Sequence, residues 1–451
     1  VCNSNPGQAV GVEDAIANNG DLRLHREPLE RPSRMPHSPR LRRPLTTLVV
    51  AAAGSVLLVA CSPSADSTRP VGNAGAATAA SATAAPPPNL SVVPADGTKE
   101  VRLDAAVKVS ADGGAIDSVV VHPSGDSVSF LTGALGDGSR SWTSTAPLSP
   151  GTDYVVEVTA HSSTGGQSTA RTGFATMTPK RLTTSTQPVD GDTVGVAMPI
   201  SLHFNQPVAQ EKQANLVSHL KVTTSTPVDG AWHWFAPNEV HFRPKDFWTS
   251  GTKVTLQANL LGVDAGNDTY GLGSWTMSFT IGAKHVSTID SAAHQMVVTE
   301  NDKTLYTWPV SAGRPKNPTL EGTLFVQYKQ QDVLMDSQSI GIPRSSPDGY
   351  YEHVYWDTAV SSDGFFIHSA PWSEWAQGSQ NVSHGCVNLS PARAQTFFNF
   401  SQKGDLVYVK NTGRPADASD GEADWNIPYE QFANSGGAST PAASPAQPGG
   451  L

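Results

Sequence analysis

Cysteine is nearly absent from this 451-residue chain, which carries thiols only at positions 2, 61 and 386. Three cysteines cannot build the disulfide framework that staples small secreted modules, so stability has to come from buried apolar surface. Aromatic residues are sparse at 7% and charged residues at 16%. The formal charge is −10, from 30 basic and 40 acidic side chains spread without long runs of either sign. No basic stripe follows the N-terminal region, which argues against a nucleic-acid partner. Apolar residues reach 38%, enough for cores, so disorder of the whole chain is ruled out. The length predicts two to four domains. Glycine (40) and proline (34) are abundant. Thr, Val and Ser fill the middle of the chain, the composition of short strands joined by turns.

Long apolar runs are scarce as well. Leu45 to Ala60 is a run of 16 residues without a charge, preceded by Arg40, Arg42 and Arg43. It is short for a bilayer-spanning helix and suits the core of an export signal. The run ends in Leu58-Val59-Ala60-Cys61. That ending resembles the bacterial lipobox, in which a small residue precedes a cysteine that receives a diacylglycerol. The resemblance implies lipidation at Cys61 and an exported protein, anchored in the membrane and facing the wall. Met35 opens a segment that is a complete signal by itself, so translation is expected to begin there, leaving Cys2 outside the natural product. Residues 62–88, rich in Ala, Ser, Thr and Pro, read as a disordered tether, and 435–451 as a disordered tail.

The middle of the chain repeats itself. Pro94-Ala-Asp-Gly97 and Pro188-Val-Asp-Gly191 each precede alternating apolar residues, Val107 and Val109 in one copy and Ile200, Leu202 and Phe204 in the other. Ser149 to Val158 aligns with Thr249 to Ala258; Tyr154, Val156 and Val158 match Val254, Leu256 and Ala258 on one face. Period-two alternation is that of strands with one face on a core, and the repeat length is that of a small β-sandwich. Two immunoglobulin-like modules without disulfides are predicted, over 89–178 and 179–282. Trp232, His233 and Trp234 could stack on a sugar, but a core or interdomain role is the stronger reading, and the modules are expected to act as a stalk.

From about Lys284 the texture changes. Gln295–Thr299 and Lys303–Trp308 predict a hairpin, Thr323–Tyr328 a strand, Gly364–His368 a buried strand, and Pro391–Gln402 a short helix with proline in its first turn. The segment between Tyr328 and Asp363 is long enough to form a lid. A mostly-β catalytic domain is expected over 283–412, followed by a C-terminal cap over 413–434.

The chemistry concentrates in His368-Ser369-Ala-Pro-Trp372 and Ser383-His384-Gly385-Cys386-Val387-Asn388. A thiol needs a base or a cation beside it to become a nucleophile, and two histidines near one cysteine offer that. Gly385 removes a side chain where backbone N–H groups could approach a substrate carbonyl. The same His368, His384 and Cys386 could instead ligate zinc, although no general-base glutamate lies nearby. A non-enzymatic wall-binding protein that uses its sandwiches as adhesive modules is a further alternative.

The pattern closely resembles the L,D-transpeptidases of the YkuD type, whose signature is His, a gap, Ser/Thr-His-Gly-Cys, an apolar residue and Asn. Here 14 residues separate His368 from Ser383. The mycobacterial branch is similar over 89–434, down to Asp424-Trp-Asn-Ile-Pro428. The resemblance implies no cofactor, and peptidoglycan tetrapeptide stems as both donor and acceptor. Cys386 is then the nucleophile and His368 the general base, oriented by the Ser369 carbonyl. The amides of Gly385 and Cys386 with the hydroxyl of Tyr350 form the oxyanion hole, while His384, Ser383 and Asn388 shape the loop and Met335 and Trp372 line the pocket. It also implies carbapenem β-lactams as inhibitors and a 3→3 cross-link as product, with L,D-carboxypeptidase hydrolysis as the alternative outcome. Whether Tyr350 or its neighbour Tyr351 faces the site is left open by the sequence.

Overall fold

The computed structural model describes residues 86–434 except 127, 363, 418, 419 and 421–423. The readings placed on Met35, Cys61, the tether and the C-terminal tail lie outside the described residues. Among the described residues no helix is long and apolar enough to cross a membrane.

Seven strands make the first sandwich: β1 (Asn89–Val93), β2 (Lys108–Asp112), β3 (Ala115–Pro123), β4 (Gly133–Gly136), β5 (Ser141–Ser144), β6 (Asp153–His161) and β7 (Gln167–Ala175). They pair as one sheet of order β1-β2-β5-β4 and a second of order β3-β6-β7. β6 shows the cause: Tyr154, Val156, Val158 and Ala160 are buried, while Asp153, Glu157 and His161 between them face water. The Tyr154 hydroxyl accepts the Ser149 amide at 2.9 Å, closing the corner that leads into the strand.

The second sandwich contains β8 (Lys180–Leu182), β9 (Thr184–Gln187), β10 (Thr193–Val194), β11 (Ile200–Phe204), α1 (Gln210–Ser218), β12 (Leu220–Thr224), β13 (Gly230–Ala236), β14 (Glu239–Pro244), β15 (Lys253–Ala258), β16 (Asp264–Gly266), β17 (Thr269–Gly271) and β18 (Trp275–Ile281). Its main sheets run β13-β14-β11-β9 and β10-β18-β15-β12. Ile200, Leu202, Trp232, Phe242 and Leu256 fill the space between them. The sequence repeat is structural. Asp96 accepts the Gly173 amide and Gly97 donates to the Gly173 carbonyl; Asp190 and Gly191 make the same pair of bonds to Ser278. Both glycines have φ near +80°, a conformation that favours a residue without Cβ.

The modules are joined by buried contacts. Asp264 of the second sandwich receives Arg102 of the first at 2.6 Å, as well as Lys212 at 2.7 Å. Burial pushes the Asp264 carboxyl upward, and Lys212, the Gly266 amide and Arg102 together outweigh it, leaving the group below its ordinary value. On the other side, Gly195 and Ala197 donate to the carbonyls of Lys403 and Gly404. A Cβ at Gly195 would lie 2.3 Å from backbone atoms of Gly404 and Asp405, so this backbone-to-backbone approach requires glycine. Phe325 and Leu406 complete the core of the second sandwich, and Trp425 packs against it while donating to the Ala197 carbonyl at 2.8 Å.

The last part holds two sheets. β19 (His285–Asp290), β20 (Gln295–Glu300), β21 (Lys303–Pro309), β22 (Gly322–Phe325) and β27 (Leu406–Lys410) form the first, in the order β21-β20-β19-β27-β22. β23 (Tyr328–Asp336), β24 (Tyr351–Ala359), β25 (Phe366–Ser369) and β26 (Val387–Leu389) form the second, in chain order. Helix α2 (Pro391–Phe400) packs on β24 and β25, with Pro391 in its first turn as expected. A final helix, α3 (Tyr429–Asn434), follows a short turn at Asp424–Asn426 and packs on β13.

Two expectations need correction. The single strand predicted over Thr323–Tyr328 is divided: the Val326 amide bonds to Asp405 in one sheet and the Gln327 amide to Ala359 in the other, so the chain changes sheets there. The lid is not a plain loop but the long β23–β24 hairpin, paired from Tyr328↔Ala359 to Asp336↔Tyr351.

Trp232 is fully buried between the sheets of the second sandwich, which settles its role as core rather than sugar contact. Trp232→Ala should cost about 3–5 kcal/mol of unfolding free energy, measured by urea denaturation. A loss under 1 kcal/mol would contradict this packing.

Candidate active site

The site grows from one strand pairing. β25 and β26 run parallel, with Ile367 opposite Val387, His368 opposite Asn388 and Ser369 opposite Leu389. Alternation then decides what each face carries. Ile367, Val387 and Leu389 point into the core shared with α2. Phe366, His368, Cys386 and Asn388 point the other way, beneath the β23–β24 hairpin. Cys386 is buried there with Val333, Met335, Val354, Ala359 and Phe366. It is the only free cysteine among the described residues.

The loop before Cys386 is tightly specified. The Ser383 hydroxyl donates to the Cys386 carbonyl at 2.5 Å and accepts the Gly385 amide at 3.1 Å. Gly385 sits at φ +136°, where a side chain would be strained, and an added Cβ would press on Phe365 at 3.1 Å. The Gly385 amide, which the resemblance assigned to the oxyanion hole, is therefore engaged inside the loop. Asn388 donates its side-chain amide to Ser373 Oγ at 2.9 Å, and its backbone pairs with Ser311.

His368 is 4% exposed, and its Nδ1 lies 2.9 Å from the carbonyl oxygen of Ser369. A carbonyl only accepts, so the proton of the neutral ring sits on Nδ1 and Nε2 keeps its lone pair. Burial lowers the imidazole to about 4, and the bond to Ser369 opposes this only in part. The ring is thus neutral at pH 7 and able to take a proton. The sequence called for a base or a cation beside the sulfur; burial and the Ser369 bond make His368 a neutral imidazole. Burial first, then the charge of Arg314, lowers the His384 imidazole as well, with Asp348 opposing.

A cavity of about 270 Å³ opens above these groups, lined by His368, Cys386, His384, Ser383 and Asn388 together with Met335, Tyr350 and Trp372. Every predicted side-chain position of the site thus meets in one place. Tyr350 faces inward with its ring 5.1 Å from His384, whereas Tyr351 is 54% exposed beneath the Arg344 guanidinium. Trp372 lies 6.2 Å from the His368 ring. The zinc alternative fails on geometry, since His368, His384 and Cys386 are not among the described groups that gather three ligand atoms within 4.8 Å.

The cavity also holds residues that the sequence did not point to: Arg314, Asp348, Glu352 and Trp375. Arg314 donates to Asp348 at 3.0 Å, and its Nη2 is buried without a hydrogen-bond partner. Trp375, three residues after Trp372, was the one with a local signal. Arg314 lies more than fifty residues upstream of the motif and reaches it because its amide bonds to the Ser383 carbonyl.

The His368 environment has a measurable consequence. The unfolded ring titrates at its ordinary 6.5 and the folded ring near 4, so between these values the unfolded chain binds more protons. Stability is lost as pH falls through that window. Between pH 7 and 4.5 the native protein should lose about 2–3 kcal/mol more than His368→Gln in urea titrations. Parallel losses would contradict a buried neutral ring.

Comparison with known proteins places this geometry. A bacterial Ig domain family matches residues 98–264, and an L,D-transpeptidase catalytic domain family matches 284–409. L,D-transpeptidase 2 of Mycobacterium tuberculosis is 37% identical over 348 residues, covering 76% of this chain and 84% of that protein. L,D-transpeptidase 5 of the same species is 31% identical over 373 residues, covering 80% of each. A solved LD transpeptidase in complex with imipenem is 33% identical, covers 51% of this chain and 99% of that one, and superposes with a TM-score of 0.45. With immunoglobulin-like modules preceding a catalytic domain whose cysteine and histidine share one sheet face, the chain belongs to the L,D-transpeptidase family.

Proposed function

We propose that Cys386 is acylated by a peptidoglycan tetrapeptide stem and that the resulting thioester is passed to an amine on a second stem, giving a 3→3 cross-link. The observation that carries this reading is the Nδ1 bond from His368 to Ser369, which leaves Nε2 as the free base in the cavity that also holds the thiol. His368 Nε2 takes the Sγ proton as sulfur attacks the carbonyl before the terminal D-Ala. The oxyanion is met by the Cys386 amide and the Tyr350 hydroxyl, with the Gly385 amide holding the loop in shape. On collapse the C–N bond breaks and the proton on His368 goes to the leaving nitrogen, so D-Ala departs with a neutral amine. The acceptor amine then attacks the thioester, gives a proton to His368, and the C–S bond breaks; the proton returns to sulfur.

A neutral resting imidazole suits this sequence, because the base is needed twice and would be unavailable if the ring were already charged. Arg314 supplies a donor for a stem carboxylate: the residue lines the cavity, its buried Nη2 has no hydrogen-bond partner, and a guanidinium recognises carboxylates well. Met335 and Trp372 give the apolar walls. Lipid attachment at Cys61 belongs to the same proposal and would hold the enzyme at the membrane surface, facing its polymer. If water reaches the thioester first, the product is a tripeptide and the enzyme acts as an L,D-carboxypeptidase.

Incubated with a disaccharide tetrapeptide, the protein should yield a dimer lighter by one D-Ala in mass spectra. Cys386→Ala should lower that rate by about 10³-fold or more. Tripeptide alone would favour hydrolysis, and unchanged turnover by the variant would remove Cys386 from the mechanism.

A carbapenem presents a strained acyl group of similar size to the same thiol. Intact-mass analysis should show one covalent adduct per chain, located on Cys386 by peptide mapping and missing in Cys386→Ala. An adduct on another residue would contradict the proposed nucleophile.

A further inference from the structure

The outer face of the β13-β14-β11-β9 sheet carries a cluster that the reaction does not use. His203 on β11 pairs with Glu239 on β14, and His241 follows Glu239 by two residues, on the same face. His203 Nε2 lies 3.3 Å and His241 Nε2 3.0 Å from the same oxygen, Glu239 Oε1. All three ligand atoms fall within 4.8 Å of one another. Ligands at 2.0–2.1 Å around a tetrahedral ion are separated by roughly 3.3 Å, so two of the three edges already have about that length.

His241 supplies the chemical argument. The ring is fully buried, with Nε2 on Glu239 and Nδ1 at 3.0 Å from Asp424 Oδ1, itself fully buried. Carboxylate oxygens accept only, and a neutral imidazole has a single N–H to give. A second positive species has to stand between Nε2 and Glu239, either a proton or a metal ion. Asp424 on Nδ1–H is the outer partner that fixes a metal-bound histidine.

We propose that His203, Glu239 and His241 bind a divalent first-row transition ion, with Zn²⁺ the best match to two imidazoles and one carboxylate, and that Asp424 is the positioning residue for His241. Solvent takes the fourth position. The metal takes the place of the proton between His241 Nε2 and Glu239 Oε1. Other charged and titratable groups on this face are Arg243, whose guanidinium lies over Trp425 and Phe432, and His233, whose Nδ1 faces the Phe432 carbonyl. Arg243 opposes the cation, and the Glu239 and Asp424 carboxylates more than offset it. Asp424 comes from the segment after the catalytic sheets, and its bond to His241 ties that segment to the second sandwich.

The test uses the full chain carrying Cys386→Ser, which removes the active-site thiolate as a competing ligand. After chelator treatment and dialysis against Zn²⁺, mass spectrometry of the metal should find one equivalent per chain. Co²⁺ should give the visible bands of a tetrahedral nitrogen and oxygen site without thiolate charge transfer. His203→Ala and Glu239→Gln, both at half-buried positions, should weaken Zn²⁺ binding at least 100-fold while keeping their circular dichroism. Asp424→Asn should weaken it about 10–100-fold. Stoichiometry and affinity unchanged in His203→Ala and Glu239→Gln, or cobalt bands dominated by thiolate, would overturn the site.

Discussion

The parallel pairing of β25 with β26 is the constraint on which the active site depends. Sheet alternation allows only one set of side chains to face the cavity, and the register His368↔Asn388 makes that set His368, Cys386 and Asn388. A slip by one residue would turn Cys386 into the core and expose Ile367 and Val387 beneath the β23–β24 hairpin. The α2 helix, Phe397 and the neighbouring sheet guard against that slip, because they bury Ile367, Val387 and Leu389 completely. Core packing and the side chains that face the cavity are thus decided by the same pairing.

Upon that register the structure builds a buried, neutral imidazole at His368 in the cavity that also holds Cys386. Burial makes an imidazolium at His368 costly, and the Ser369 carbonyl chooses the tautomer. A carboxylate in place of that carbonyl would raise the ring's affinity for protons and charge it at rest. The backbone partner orients the base without charging it. Gly385 serves the same end on the other strand, since only its positive φ lets the Ser383 hydroxyl close the turn that presents Cys386.

The parts legible in the sequence were those carried by short spacing. The Ser383–Asn388 motif, the proline-capped helix and the Asp-Gly turns of both sandwiches declare themselves within a few residues, because local backbone chemistry specifies them. The division at Val326 was not legible, since an unbroken apolar run hides a change of hydrogen-bonding partner. Arg314 and Asp348 were missed for a similar reason: Arg314 joins the site through a bond to Ser383, and Asp348 through its ion pair with Arg314, both formed only in the folded chain. His203 and Glu239 are adjacent across two strands yet 36 residues apart in sequence, and nothing local marks them as neighbours. Tyr350 and Tyr351 could be told apart only once the end of the hairpin was fixed.

The most direct measurement of the central claim is the ¹⁵N spectrum of the His368 imidazole in the intact protein at pH 7, followed downward in pH. A neutral ring with its proton on Nδ1, persisting until the pH approaches about 4, is the result expected from a buried base held by a backbone carbonyl. An imidazolium at neutral pH, or a proton resident on Nε2, would contradict it.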